Sequence, residues 1–263
     1  MGCGDGVLTY QLSKFVASIT GIDNSSNMIS AANANYSSPN ITYLTINAVS
    51  ITCPNTQSSL ISHLTSRATA ARFTKIFSNA ALHWILRPLV PNPVTRDLTP
   101  LVNFFRACYS LLIPGGTFTS ESGALGNVAG VHAALISALI HRGISPVEAR
   151  AVSPWFFPSA NLMATVLTQA GFIVETCEEV HRPTRAMGDD VRSWVRLFGA
   201  AFLDKVEEWV SAREEWDSEK RKCVREDVVR EVSEVVEGVG RREEDGAFMI
   251  GYVRLRIQAR KPE

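Results

Sequence analysis

The sequence predicts an α/β fold: a mostly parallel, Rossmann-like sheet whose last strand is antiparallel, with extra helices in the C-terminal half. Three observations carry this. Strand-like and helix-like segments alternate through residues 8–122, the pattern of parallel strands joined by crossover helices. Helical periods dominate the second half. The last apolar segment, AFMIGYVRLRIQARK, alternates with period two, as a half-buried strand does.

In order along the chain, Leu8, Leu12, Phe15, Val16 and Ile19 recur at helical spacing. SITGID, ending at Asp23, reads as a short buried strand, SNMISAANANY as a helix and ITYLTI as the next strand. A Ser/Thr/Asn-rich stretch reads as a loop before the strand FTKIFSN. A helical repeat from Leu101 to Leu112 stops at IPGG, a turn, and TFTSES follows as a strand. NVAGVHAALISALIHRG and PSANLMATVLTQAGF are apolar helices closed by Gly143 and Gly171, and FIVETCEEV is a strand. DDVRSWVRLFGAAFLDKVEEWV and the charge-rich REEWDSEKRKCVREDVVREVSEVVEG are helices, the latter with a solvated face. In the final strand Val253, Leu255, Ile257 and Ala259 share one face, and Arg254, Arg256 and Gln258 the other.

Composition removes several classes of function. With 26 Lys plus Arg against 26 Asp plus Glu, nothing in the charge balance attracts a polyanion, so no nucleic-acid partner is expected. No stretch is apolar enough for a membrane span, so no membrane partner is expected. The five cysteines are scattered without metal-ligand spacing, which reads as free thiols in the cytoplasm and no metal site. Asn24, Asn35 and Asn40 match the N-glycosylation pattern, without a signal peptide to make use of it.

The opening MGCGDG admits two readings. The myristoylation pattern wants Ser or Thr at position 6, where this chain has Gly6. The other reading is a ligand-binding turn. Gly2, Gly4 and Gly6 permit positive backbone dihedrals and close approach of the main chain to a ligand. The spacing G-x-G-x-G departs from the dinucleotide G-x-G-x-x-G, because Val7 follows Gly6. Asp23, at the end of a strand, is placed either to accept ribose hydroxyls or to cap the next helix.

With these residues in place, GCGDG, GIDNSSNMI, TINAVS, SNAALHW and LLIPGGTF resemble the class I S-adenosylmethionine-dependent methyltransferases, and among them the trans-aconitate methyltransferase group and its fungal relatives. The resemblance covers nearly the whole chain. It implies a cofactor-binding part over residues 1–125, followed over 126–263 by helical cap elements and C-terminal strands of the same domain. It implies that Gly2, Gly4 and Gly6 meet the methionine moiety, Asp23 the ribose and Met28 the adenine. Asn47 and Ala48 stand where the family has Asp-Ala against the adenine amino group, and Asn47 is the departure. Asn79 and Ala80 are to line the cofactor near its sulfonium. His83 and Trp84 point to the acceptor, His83 as the candidate acid-base group. Arg196, with Arg185 and Arg192, is a candidate for an anionic acceptor, and Glu121 is placed either at the cleft or on a surface turn.

The resemblance also implies a strand before Gly2, so Met1 is expected to be an internal methionine of a longer protein. The expected function is methyl transfer from S-adenosylmethionine to a small-molecule acceptor, a carboxylate among the candidates. A carboxylate needs no general base at neutral pH, which fits a sequence without an evident triad. A degenerate, non-catalytic fold and a nicotinamide-dependent oxidoreductase are the competing readings.

Overall fold

The computed structural model describes residues 1–65, 72–91, 94–213 and 218–263. They form two compact units, residues 1–125, 155–180 and 254–263 on the one hand and 126–154 and 181–253 on the other.

In the first unit the chain opens with the glycine turn and helix α1, Val7–Ser13. Strand β1, Ile19–Asp23, helix α2, Ser26–Asn35, and strand β2, Ile41–Thr45, follow. β1 and β2 pair in parallel, Ile19 against Ile41. A 3-10 turn over Ala48–Thr52 leads into helix α3, Pro54–Thr65. Strand β3, Phe73–Asn79, the short helix α4, Leu82–Ile85, helix α5, Thr99–Leu111, and strand β4, Leu112–Gly123, complete the continuous part. β3 and β4 are parallel, with an irregularity where Phe73 faces Leu112 and Lys75 faces Thr117.

The N-terminal residues run between β1 and β3. The Cys3 amide donates to Ile22 O at 3.0 Å, the Met1 ammonium to Phe77 O at 2.7 Å, and Ser78 Oγ to Met1 O at 3.0 Å. Among the described residues, β1–β2 and the sheet containing β3 remain two separate sheets.

The second unit is mostly helical. Helix α6, Ala129–His141, and helix α7, Pro146–Ala151, come first. After the return of helix α8, Ala160–Gln169, and strand β5, Ile173–His181, to the first unit come β6, Thr184–Arg185, α9, Val191–Phe198, α10, Ala200–Ser211, α11, Ser218–Gly240, and β7, Met249–Ile250. The final strand β8, Val253–Arg260, lies antiparallel to β4 in the order β3-β4-β8-β5. Leu255, Ile257 and Ala259 are buried on one face, as the alternation requires.

Each core follows from periodicity. α5 buries Leu101, Phe104, Phe105, Cys108 and Leu111, the three-and-four spacing of one helix face. Phe105 meets Phe104 and Phe118 edge-on, with centroids 5.1 and 5.4 Å apart, the arrangement that ring quadrupoles favour. In the second unit Leu135, Leu139, Phe202, Val206, Val228 and Val232 are wholly enclosed. No helix of the described residues is long and apolar enough to cross a membrane.

Three expectations are corrected. The first helix stops at Ser13, so Phe15 (83% exposed) and Val16 lie outside it. Asn40 Nδ2 donates to Ser13 O at 2.8 Å and to Val16 O at 3.1 Å, satisfying the carbonyls a longer helix would use. The polar stretch before β3 is largely the helix α3, which buries Leu60; residues 66–71 of that stretch lie outside the described residues. The helix starting at Asp189 is two helices, parted at Gly199, where a Cβ would stand 2.5 Å from Val195 O. The start of the charge-rich segment, residues 214–217, lies outside the described residues.

Candidate cofactor and acceptor site

All three opening glycines have positive φ: 63° at Gly2, 55° at Gly4 and 89° at Gly6. Their surroundings differ. A Cβ on Gly2 would stand 2.3 Å from Ala81 Cβ, and one on Gly6 2.7 Å from Tyr43 Oη and 2.8 Å from Ala32 Cβ. One on Gly4 would meet nothing within 4 Å. Gly2 and Gly6 are therefore small because protein packs against them. Gly4 presents its bare backbone to open space. The turn is held by its own amides: Gly6 N–H donates to Cys3 O at 3.1 Å and Gly4 N–H to Asp23 Oδ2 at 2.9 Å. Burial, with Asp23 nearby, pushes the Cys3 thiol up to about 11, so it is not a thiolate nucleophile.

Asp23 ends β1 and holds two segments. Its Oδ2 receives Gly4 and its Oδ1 receives Ser25 N–H at 3.0 Å. The helix cap is Ser25, whose Oγ receives Met28 N–H at 3.3 Å, so Asp23 is not itself the cap. Each carboxylate oxygen keeps a further lone pair for an outside donor. Ile46 N–H donates to Asp23 O at 2.9 Å, which ties the end of β2 to the end of β1. Asn47 Oδ1 accepts Val49 N–H at 3.0 Å and caps the 3-10 turn, while Ala48 is buried beneath it. Met28 stands half-exposed on the first turn of α2.

At the end of β3 the chain turns sharply. Asn79 and Ala80 are exposed, and Ala80 adopts φ 53° although it is not glycine. That conformation costs an L-residue about 1–2 kcal/mol. Ala80 N–H is anchored to Glu121 O at 2.8 Å. Backbone strain of this sort concentrates at functional sites. The next turn carries His83 and Trp84. His83 is buried, and its Nδ1 receives Gly123 N–H from the end of β4 at 3.3 Å. Burial, with the charge of Arg254 added, lowers its pKa to about 4, so the ring is neutral at physiological pH. Because Nδ1 accepts from an amide that can only donate, the single ring proton resides on Nε2. Such a ring offers a hydrogen-bond donor, and its Nε2 is not free to take a proton.

His83 lies among rings. Its centroid is 5.6 Å from those of Trp84 and Phe157; Trp155 meets Trp84 edge-on at 5.7 Å and stacks on Phe157 at 5.8 Å. Phe156 N–H donates to His83 O at 2.8 Å, which fixes the WFF segment beside α4.

The fold thus gathers Gly2, Gly4, Gly6, Asp23, Asn47, Asn79 and His83 at the carboxyl ends of β1, β2, β3 and β4, where open α/β sheets bind ligands. Arg196 belongs to the second unit, where Glu226 engages it at 2.8 Å. Glu121 pairs with Arg256 of β8 at 2.9 Å. Arg185 is on β6 and Arg192 on α9. Sequence reasoning missed Tyr43, Trp155, Phe157 and Arg254. Trp155 and Phe157 lie in PWFFPSANLMATVLTQAGF, a segment that resembles the methyltransferase group as a whole but marks neither ring for the site, and Arg254 reads only as the polar face of a strand.

A parallel β1–β2 pair and a parallel β3–β4 pair, with a glycine turn, an acidic strand end and a strained turn at their carboxyl ends, make the kind of arrangement in which α/β proteins bind nucleoside cofactors. Comparisons with known proteins agree. Residues 1–91 match the family described as Methyltransferase domain. The chain is 32% identical over 261 residues to an uncharacterized methyltransferase of Schizosaccharomyces pombe, a match covering 99% of this chain and 85% of that protein. In fold it is similar to a solved protein from Bacillus halodurans C-125 (TM-score 0.54, 15% identity) and to the YcgJ protein of Bacillus subtilis (TM-score 0.54, 13% identity), each match covering 100% of this chain and 90% of the other. The chain belongs to the methyltransferase family, as an enzyme that depends on S-adenosylmethionine.

The residues present fit that cofactor. The open face of Gly4 leaves room for a ligand chain against the backbone, and the Asp23 lone pairs suit a ribose diol. Asp23→Ala removes the acceptor of the Gly4 and Ser25 amides. It is expected to weaken S-adenosylhomocysteine binding at least tenfold in a calorimetric titration, and unchanged affinity would take Asp23 out of the site.

Proposed function

We propose that the protein transfers a methyl group to a small-molecule acceptor and that the acceptor atom is a carboxylate oxygen, as in the trans-aconitate methyltransferase group that the sequence resembles. Bound S-adenosylmethionine supplies a methyl group already activated by its sulfonium. The chain's part is then to bind, align and exclude water, and alignment alone can contribute about 7–11 kcal/mol.

One observation carries the carboxylate reading: the histidine on α4, the helix that follows the strained turn, is not a base. His83 is neutral with its proton on Nε2, and Glu121 is tied to Arg256. A phenol or alcohol acceptor needs a base to remove its proton, whereas a carboxylate with a reference pKa of about 4 is already ionised. In this reading the turn of Gly2, Gly4 and Gly6 receives the methionine part of the cofactor on the open face of Gly4, with Gly2 and Gly6 keeping the turn packed on the protein; Asp23 receives the ribose, Met28, Asn47 and Ala48 the adenine, and Asn79 the region of the sulfonium. All five cysteines are free, in keeping with a reducing, cytoplasmic setting.

The test is transfer of labelled methyl from S-adenosylmethionine to a panel of carboxylates, phenols and amines, with trans-aconitate first. The expected product is an ester, which releases volatile labelled methanol in mild base. Label held only in base-stable products contradicts the carboxylate reading. His83 does not change charge between pH 6 and 8, so kcat/KM for a carboxylate is expected to be flat over that range.

A further inference from the structure

We infer that Tyr43 is a positioning residue for the cofactor: its hydroxyl holds one end of the Gly4–Gly6 stretch in the shape the cofactor meets, as the Asp23 carboxylate holds the other. This rests on the cofactor site described above and adds to it a side chain that acts through the turn rather than on the ligand.

The sequence delivers the ring by leaving room for it. Tyr43 is the middle residue of β2 and stands opposite Gly21 of β1 in the parallel register. A Cβ on Gly21 would stand 2.9 Å from Tyr43 Cδ1, and one on Gly6 3.0 Å from Tyr43 Cζ. The ring therefore lies against two bare glycine backbones. Ile29 and Ala32 of α2 pack with it, and Cys3 and Ile41 lie against that cluster. A ring enclosed in this way brings its hydroxyl to a fixed point. There the hydroxyl faces two carbonyls, donating toward Tyr36 O at 3.1 Å and Gly6 O at 3.3 Å. Tyr36 is the C-cap of α2 and Gly6 the N-cap of α1, whose carbonyl also accepts Tyr10 N–H at 2.9 Å. One phenol thus joins the end of one helix to the start of the other at the turn. Burial, with Cys3 and Asp5 nearby, pushes the Tyr43 pKa above its ordinary value, so the group stays a donor.

The turn needs such ties because of its composition. Gly4 and Gly6 have φ of 55° and 89°, and glycine has more conformational freedom to lose than any other residue. Ordering a loose turn when the ligand arrives weakens binding, whereas a turn ordered beforehand does not. Asp23 Oδ2 receives Gly4 N–H at 2.9 Å, and Tyr43 Oη–H reaches Gly6 O. The stretch that begins at the open face of Gly4 is therefore fixed at both ends.

The experiment uses the whole chain and two readouts. In native-state hydrogen exchange without ligand, the Gly4, Gly6 and Tyr10 amides of the wild type are expected to be protected already. In Tyr43→Phe, which keeps the ring and loses only the hydroxyl, they are expected to exchange at least about threefold faster. In calorimetry, S-adenosylhomocysteine is expected to bind Tyr43→Phe at least about threefold more weakly than wild type, the scale of one net hydrogen bond. Leu167→Ala, at an enclosed position of α8, is the control for stability alone: its Tm falls and S-adenosylhomocysteine binds it as it binds wild type. A folded Tyr43→Phe with wild-type affinity overturns the inference and leaves the cofactor site standing. So does an equal loss of affinity in Leu167→Ala. So do unprotected turn amides in the ligand-free wild type, a result that requires no variant to fold. Failure of S-adenosylhomocysteine to bind the folded wild type is a different result: it overturns the cofactor site itself, and the role of Tyr43 with it.

Discussion

Gly6→Ala is expected to cost about 2–5 kcal/mol of stability, an effect out of proportion to one methyl group. Two costs add. Gly6 has φ 89°, a region where an L-residue loses about 1–2 kcal/mol. Its Cβ would stand 2.7 Å from Tyr43 Oη and 2.8 Å from Ala32 Cβ, and forcing extra volume into a packed site costs about 1–3 kcal/mol. Neither neighbour yields easily. Tyr43 is buried, with its hydroxyl 3.3 Å from Gly6 O and 3.1 Å from Tyr36 O, and Ala32 is fully enclosed in α2. Against a net stability of about 5–15 kcal/mol, the change removes a large share. Gly246→Ala is the control: φ is 67°, but a Cβ there meets nothing within 4 Å, so only the backbone cost applies. At about 2–4 °C per kcal/mol for a chain of this size, Gly6→Ala should lower Tm by about 10 °C and Gly246→Ala by only a few degrees. Equal shifts in the two variants would contradict the packing argument.

Acid should destabilise the protein through His83. In the folded chain its pKa is about 4, against 6.5 for the ordinary side chain, chiefly because burial disfavours the charged ring. Between those values the unfolded chain binds more protons than the folded one. Stability from this group is therefore complete above pH 6.5 and declines as pH falls toward 4. The integrated loss is about 3 kcal/mol, since each pH unit between the two values is worth about 1.36 kcal/mol. His132, on α6, is also pushed down by burial and acts in the same sense. Denaturant unfolding at pH 7 and pH 4.5, on wild type and His83→Gln, separates the two histidines. Wild type is expected to lose about 2 kcal/mol more than the variant over that interval. Parallel losses would show that His83 is not desolvated as described.

Much of this architecture can be read from residue order. FTKIFSN is bounded as β3 because its branched and aromatic residues sit between polar breakers, and VRLRIQAR reads as β8 because its alternation is clean. The glycine turn is legible because Gly2, Gly4 and Gly6 carry their conformational signal in composition alone. The misses have physical causes. α3 is polar in sequence and owes its helix to burial of Leu60, a tertiary effect that outweighs propensity. α7 carries a readable signal in Ser145 and Glu148, which form a reciprocal capping box, with Glu148 N–H to Ser145 Oγ at 3.3 Å. Asp23 holds the glycine turn across nineteen positions of sequence, a pairing that no local pattern displays. Arg254 is harder still. Its neighbourhood with His83 is made by the β4–β8 register and by one backbone amide, and along the chain it is simply one of the arginines on the polar face of a strand.

The cofactor site stands or falls with Gly4, the one glycine of the turn whose missing side chain faces open space. A calorimetric titration of S-adenosylhomocysteine into wild type and Gly4→Ala, with circular dichroism to show that both are folded, asks directly whether the cofactor lies there. Micromolar binding to wild type and at least a tenfold loss in Gly4→Ala are expected, since the added methyl occupies the ligand's side of the turn without touching protein. Equal affinities in two folded proteins would contradict this, and would move the cofactor away from the turn.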